Sequence, residues 1–158
     1  MNEADIADSV GRDTAPESET THSPATRVTS VVLFVSHLQR SIEFYRDVFS
    51  CKTTVHEPDA ALLHAPDGFQ IYLIDRGTRA SHSSGGIGVQ YLIWATDSNA
   101  ELNALARALL ARAGHADRYV SGGVTFVAAR DPDGIRILVA HPPPEKLHRS
   151  VVGAHLYA

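Results

Sequence analysis

A single cysteine, Cys51, stands among 158 residues, so no disulfide can close within the chain. A chain of this length favours one domain, with a core large enough to fold without cross-links or a structural metal. Such cysteine usage suits a reducing compartment, and a cytoplasmic location is expected. No stretch approaches the roughly 18 consecutive apolar residues of a membrane-spanning helix. The acidic start of the sequence lacks the apolar run of a secretory leader, so no membrane partner is expected. Excess positive charge is missing too. Of 14 basic and 18 acidic residues, positions 1–26 hold one and six, which leaves 13 and 12 elsewhere. A body so close to neutrality has no electrostatic footprint for nucleic acid.

Large apolar side chains are scarce in residues 1–26, which cannot bury enough area to offset their ordering entropy; a disordered acidic tail is expected there. The pattern changes at residue 27. Thr29-Ser30-Val31-Val32-Leu33-Phe34-Val35 is β-branched and apolar, as in a strand covered on both faces. Ser36 stands three residues before Gln39, a capping-box spacing. Leu38, Ile42, Tyr45 and Phe49 then recur on one helical face, with Phe44 and Val48 beside them. Cys51–Glu57, Ala60–Ala65 and Phe69–Ile74 read as strands, separated by turns at Pro58-Asp59 and Pro66-Asp67-Gly68.

Residues 76–87, rich in Gly and Ser, read as a linker, after which the order of elements repeats. Val89–Ala95 predicts a strand, and Ser98 with Glu101 a second capping box. Leu102, Leu105, Leu109 and Leu110 supply a helical stripe that Gly114 closes. Tyr119-Val120, Val124–Ala129 and Ile135–His141 predict strands again, and Pro142-Pro143-Pro144 stops the last. The expected domain is thus 27–142, with modules at 27–75 and 88–142, followed by a C-terminal tail over 143–158. Its strongest support is an internal match. Ala65-Pro66-Asp67-Gly68 and Asp131-Pro132-Asp133-Gly134 each follow a strand–helix–strand series and lead into an alternating strand. The fold class is α+β, two copies of a βαβββ unit.

Ser36–Phe49, with Phe44-Tyr45-Arg46-Asp47, together with Asp131-Pro132-Asp133-Gly134, resembles the vicinal oxygen chelate superfamily. That family includes glyoxalase I, extradiol dioxygenases and the fosfomycin- and bleomycin-resistance proteins. The resemblance spans residues 28–141 and implies paired modules whose curled mixed sheets enclose a cavity, often completed in a homodimer. Its enzymes hold a divalent metal with one residue on the first and one on the fourth strand of each module. Those positions fall here on Ser30, Tyr72, Gln90 and Leu138. A divalent ion needs imidazole, carboxylate or thiolate donors in place of its water. Serine is a poor ligand, leucine offers no donor, and tyrosine would have to ionise from about 10. Gln90, a substitution some members of the family tolerate, is one neutral amide that cannot anchor an ion alone. No metal and no cofactor are therefore expected.

Other chemistry has little context. Cys51 opens a strand with no paired base, and Gly85-Gly86-Ile87-Gly88 precedes a strand rather than a helix, unlike a phosphate loop. His37 reads as an exposed residue at the strand-to-helix turn, and His141 faces away from Leu138. His64 could face the cavity. Alternation puts Ser30, Val32, Phe34, Tyr72, Gln90, Leu92, Trp94, Arg136, Leu138 and Ala140 on the inner faces. This apolar and aromatic lining suits a small-molecule ligand in the inter-module cavity, with Arg136 seeking a partner such as a ligand anion. The leading expectation is metal-independent binding of a small, partly aromatic or apolar molecule. The alternatives are a metal-independent lyase or isomerase using Tyr72 or His64 as acid or base, and a pocketless interaction protein.

Overall fold

The computed structural model describes residues 27–79, 89 and 91–143. The tail expected over 1–26, most of the expected linker, Gln90 and nearly all of the C-terminal tail lie outside the described residues. The first unit comprises β1 (Ser30–Val35), α1 (Leu38–Phe49), β2 (Lys52–His56), β3 (Ala60–His64) and β4 (Gln70–Asp75). The second repeats it as β5 (Tyr91–Ala95), α2 (Asn99–Ala113), β6 (Asp117–Ser121), β7 (Val124–Arg130) and β8 (Arg136–His141). Strands are ordered β1-β4-β3-β2 in one sheet and β5-β8-β7-β6 in the other. In each unit the first and fourth strands run parallel and the remaining pairs antiparallel. No helix among the described residues is long and apolar enough to cross a membrane.

Each helix covers one face of its sheet. Leu38, Ile42, Phe44, Tyr45, Val48 and Phe49 are all buried, as the spacing predicts. Leu102 and Leu109 are fully buried on α2, but Leu110 stays 55% exposed, because one step along a helix rotates a side chain by about 100° off the stripe. The two units share one continuous core, in which Tyr45, Leu63, Ile71 and Leu73 join Leu102, Val127, Ile137 and Val139. Phe49 of α1 stacks on Trp94 of β5, with ring centroids 4.0 Å apart. Cys51 is a buried free thiol, pushed up to about 12 by burial, and behaves as a small apolar residue.

The helix ends correct one expectation and bear out another. The Ser98–Glu101 capping box forms with both arms, and Gly114 closes α2 in the left-handed region. No box forms at Ser36 and Gln39. His37 is the N-cap without a side-chain hydrogen bond, while Gln39 donates to Glu43. Asp75 at the end of β4 caps α1 instead, accepting the Leu38 N–H at 3.2 Å. These acceptor contacts, the Gly77 N–H first and then Leu38, hold the Asp75 carboxyl below its usual range.

Ser36 is drawn away by the other unit. Asp133 Oδ1 accepts the Ser36 N–H (3.0 Å) and hydroxyl and the Arg40 guanidinium, and its Oδ2 accepts the Ser41 hydroxyl (3.2 Å). Asp131 Oδ2 accepts the Tyr45 hydroxyl at 2.9 Å, and Oδ1 takes the N–H groups of Asp133 and Ile135. Both aspartates are buried. Burial pushes the Asp131 carboxyl above its ordinary range and the Tyr45 phenol well above its own. The Tyr45 and Asp-Pro-Asp-Gly marks thus form a buried polar clamp between the units.

Candidate functional site

The faces turned away from the helices are the candidate surfaces. On the first sheet, register places Ser30, Gln70, His64 and Lys52 in one row, and Val32, Tyr72, Leu62 and Val55 in the next. Phe34, Ile74 and Ala60 follow. Val32 and Phe34 are more than half exposed, and the Arg76 guanidinium lies 4.4 Å over the Phe34 ring. The Tyr72 hydroxyl donates to Gln70 Oε1 at 3.2 Å, and His64 stands directly opposite Gln70. Ser30, Val32, Phe34, Tyr72 and His64 therefore do share a face.

On the second sheet the rows are Tyr91, Arg136 and Arg130; then Ile93, Leu138, Ala128 and Asp117; then Ala95, Ala140, Phe126 and Tyr119. A groove of about 370 Å³ opens on this face, lined among others by Tyr91, Tyr119, Ala128, Arg130, Arg136 and Leu138. Arg136 donates to the Tyr91 hydroxyl at 2.7 Å and lies over its ring. Burial, and then the charge of a neighbouring Tyr91, push the Tyr119 phenol up. Arg136 and Leu138 thus occupy the groove as expected. The residues predicted from the first unit do not line it.

Leu92 and Trp94 require a correction. Both point to the helix side and pack on the core, because β5 pairs Tyr91 with Arg136 and Ile93 with Leu138. The expected parity is off by one residue, and Tyr91 rather than Gln90 matches Ser30. Counting back seven residues from the helix caps His37 and Ser98 lands on Ser30 and Tyr91, so the signal was present in the chain. Tyr119 and Arg130 were missed because only strand pairing brings them beside Arg136. A second cleft, of about 350 Å³, lies between the units on the helix side. It is lined by Arg40, Glu43, Arg112 and Arg130 and by none of the predicted site residues.

The profile of the Glyoxalase/Bleomycin resistance protein/Dioxygenase superfamily matches residues 27–139. The chain belongs to this superfamily. Among solved structures it resembles a glyoxylase/bleomycin resistance protein/dioxygenase domain from Frankia sp. EAN1pec, at 25% identity and TM-score 0.60, over 73% of this chain and 97% of that one. It is also similar to lactoylglutathione lyase from Agrobacterium tumefaciens, at 23% identity and TM-score 0.56, over 74% and 94%. A glyoxalase/bleomycin resistance protein from Albidiferax ferrireducens T118 aligns at 21% identity and TM-score 0.58, over 73% and 98%. Likenesses below 25% identity show the fold alone. Among curated proteins nothing matches.

A metal is implied by this family's enzymes, and the donors here do not fit one. Ser30 and Tyr72 of the first unit and Tyr91 and Leu138 of the second supply a hydroxyl, two phenols and an alkyl group. Tyr72 and Tyr91 hydroxyls are engaged with Gln70 and Arg136. Among the described residues no three His, Cys, Asp or Glu side chains gather closely enough to hold an ion.

Proposed function

We propose that this superfamily member binds a small, partly aromatic or apolar molecule, without a metal, on its concave surface. The carrying observation is the groove of the second sheet, an apolar Leu138–Ala128 floor between Tyr91 and Tyr119 with two arginines at one end. That mixture of apolar lining and a few placed polar groups is the usual make-up of a ligand site. Metal independence rests on donor chemistry, since hydroxyl and alkyl groups cannot replace the water shell of a divalent ion.

Calorimetric and thermal-shift titration of chelator-treated protein with a panel of planar aromatic compounds tests the reading. At least one compound is expected to saturate at one site per groove. Ala128→Trp, which fills the floor, is expected to weaken that binding by about a hundredfold while the fold persists. Stoichiometric zinc, manganese or iron binding that perturbs Ser30, Tyr72 or Tyr91 would overturn metal independence. No binder across the panel would favour a pocketless interaction protein.

A second reading is supported by the Tyr72–Gln70 hydrogen bond with His64 opposite, a polar row that borders the apolar Val32, Leu62 and Val55. It makes the protein a metal-independent enzyme with Tyr72 or His64 as acid or base. Turnover that survives both Tyr72→Phe and His64→Ala unchanged would rule it out. The exposed Val32, Phe34, Val55 and Tyr72 further favour a homodimer in which a second copy covers this face. Sedimentation equilibrium of wild type against Phe34→Glu tests that pairing.

A further inference from the structure

We infer that the ligand of the second sheet's groove carries an anionic head, received at the Arg130–Arg136 corner, and a flat body laid toward Tyr119. This rests on the groove being a ligand site. Register supplies the first observation. Arg136 of β8 faces Arg130 of β7 at a directly opposed position, and both side chains line the groove. Two guanidinium groups at one corner concentrate positive charge and N–H donors where an anion can lie between them. Each guanidinium is also held in place: Arg130 donates to the Gly134 carbonyl at 2.8 Å, and Arg136 donates to the Tyr91 hydroxyl. A planar fork of five N–H donors fixed in this manner matches a carboxylate, sulfonate or phosphate.

The other charged groups of the groove sharpen the direction. Asp117 lies on the edge strand β6, opposite Ala128, and pairs with His115 Nε2 at 2.8 Å. An anionic head is therefore kept from the β6 edge and drawn to the β5–β8–β7 corner. From the arginine row the floor continues through Leu138 and Ala128 and ends at Tyr119, which stacks on the buried Phe126 at 5.2 Å. One row along a strand covers about 7 Å. That length takes a bicyclic ring system beyond the anionic head, with a tyrosine ring at each end.

Two dyes separate head from body: anilinonaphthalene sulfonate, and the uncharged phenylnaphthylamine, which has the same rings without the sulfonate. The sulfonate is expected to bind the full chain at one site per groove and at least about tenfold tighter than the neutral dye. Arg130→Gln and Arg136→Gln, each checked for an unchanged melting temperature, are expected to lose that advantage while the neutral dye binds as before. Because Arg130 is exposed, its variant keeps the test open if Arg136→Gln disturbs the Tyr91 contact. Equal affinity for both dyes, or a sulfonate preference that survives both substitutions, overturns the anionic head and leaves the groove as a ligand site. Failure of both dyes to saturate overturns the groove reading itself.

Discussion

The turns that lead into β4 and β8 share Pro-Asp-Gly and little of their surroundings. Asp67 is exposed and closes its own turn, accepting the Phe69 N–H at 3.0 Å. Ala65, before it, is simply buried in the core. In the second unit Asp131 takes the place of Ala65 and, with Asp133, ties α1 of the first unit to the β7–β8 turn of the second. The faces turned away from the helices diverge as well, one with a polar row beside exposed Val32 and Phe34, the other grooved with paired arginines. A duplicated backbone has thus diverged: the first unit lends its helix to the joint, and the second carries the groove. The residues that mark the family most clearly serve the joint and stand outside the groove.

Replacing Asp131 by Ala gives the second turn the chemistry of the first, and it carries the largest expected effect. The Tyr45 hydroxyl and two backbone N–H groups would lose their acceptor in a buried setting, a cost of about 3–5 kcal/mol. Asp67→Ala removes one exposed hydrogen bond and should cost no more than about 1 kcal/mol. Urea denaturation of the two variants side by side checks the contrast, and equal losses would dissolve it.

Opposite pH slopes provide a second comparison. Asp75 is held below its unfolded value near 3.8, so its contribution is present above that pH and is lost as pH falls through its folded value. Asp131 is raised above 3.8, so its contribution is complete below that pH and is lost as pH rises through its folded value. The stability advantage of wild type over Asp75→Asn should shrink on acidification. Its advantage over Asp131→Asn should shrink on going from acid toward neutrality. Denaturation across a pH series reads both slopes, and a common sign would refute the assignment.

The smallest effects are at the two helix ends. Ser50 closes α1 in the left-handed region at φ 55°, where Gly114 closes α2 at φ 72°. Ser50→Gly should stabilise the protein by about 0.5–1 kcal/mol through relief of that strain. Gly114→Ala should cost about 1 kcal/mol although its added methyl meets nothing within 4 Å. Thermal melts that move in the same direction would break the pairing.

Much of this was legible in the chain. The stripe from Leu38 to Phe49, the Ser98–Glu101 box, Gly114 and the repeated Pro-Asp-Gly turns are local patterns, and local patterns survive folding. The errors came where a side chain's role depends on something distant. Ser36 looks like a cap until Asp133, 97 residues away, claims it. Leu92 and Trp94 look inward only if the strand is counted from the wrong end, since a shift of one residue exchanges the two faces of a strand.

The sequence by itself determined the two βαβββ units, their elements and the weak donor chemistry of Ser30, Tyr72 and Leu138, because spacing and side-chain chemistry do not depend on the partner. Only the tertiary structure decided which face each β5 side chain takes and that Asp131 and Asp133 form a buried clamp. It alone also decided that Tyr91, Arg136, Arg130 and Tyr119 meet in one groove. Strand register and burial are set by residues far apart in the chain, and no local pattern contains them.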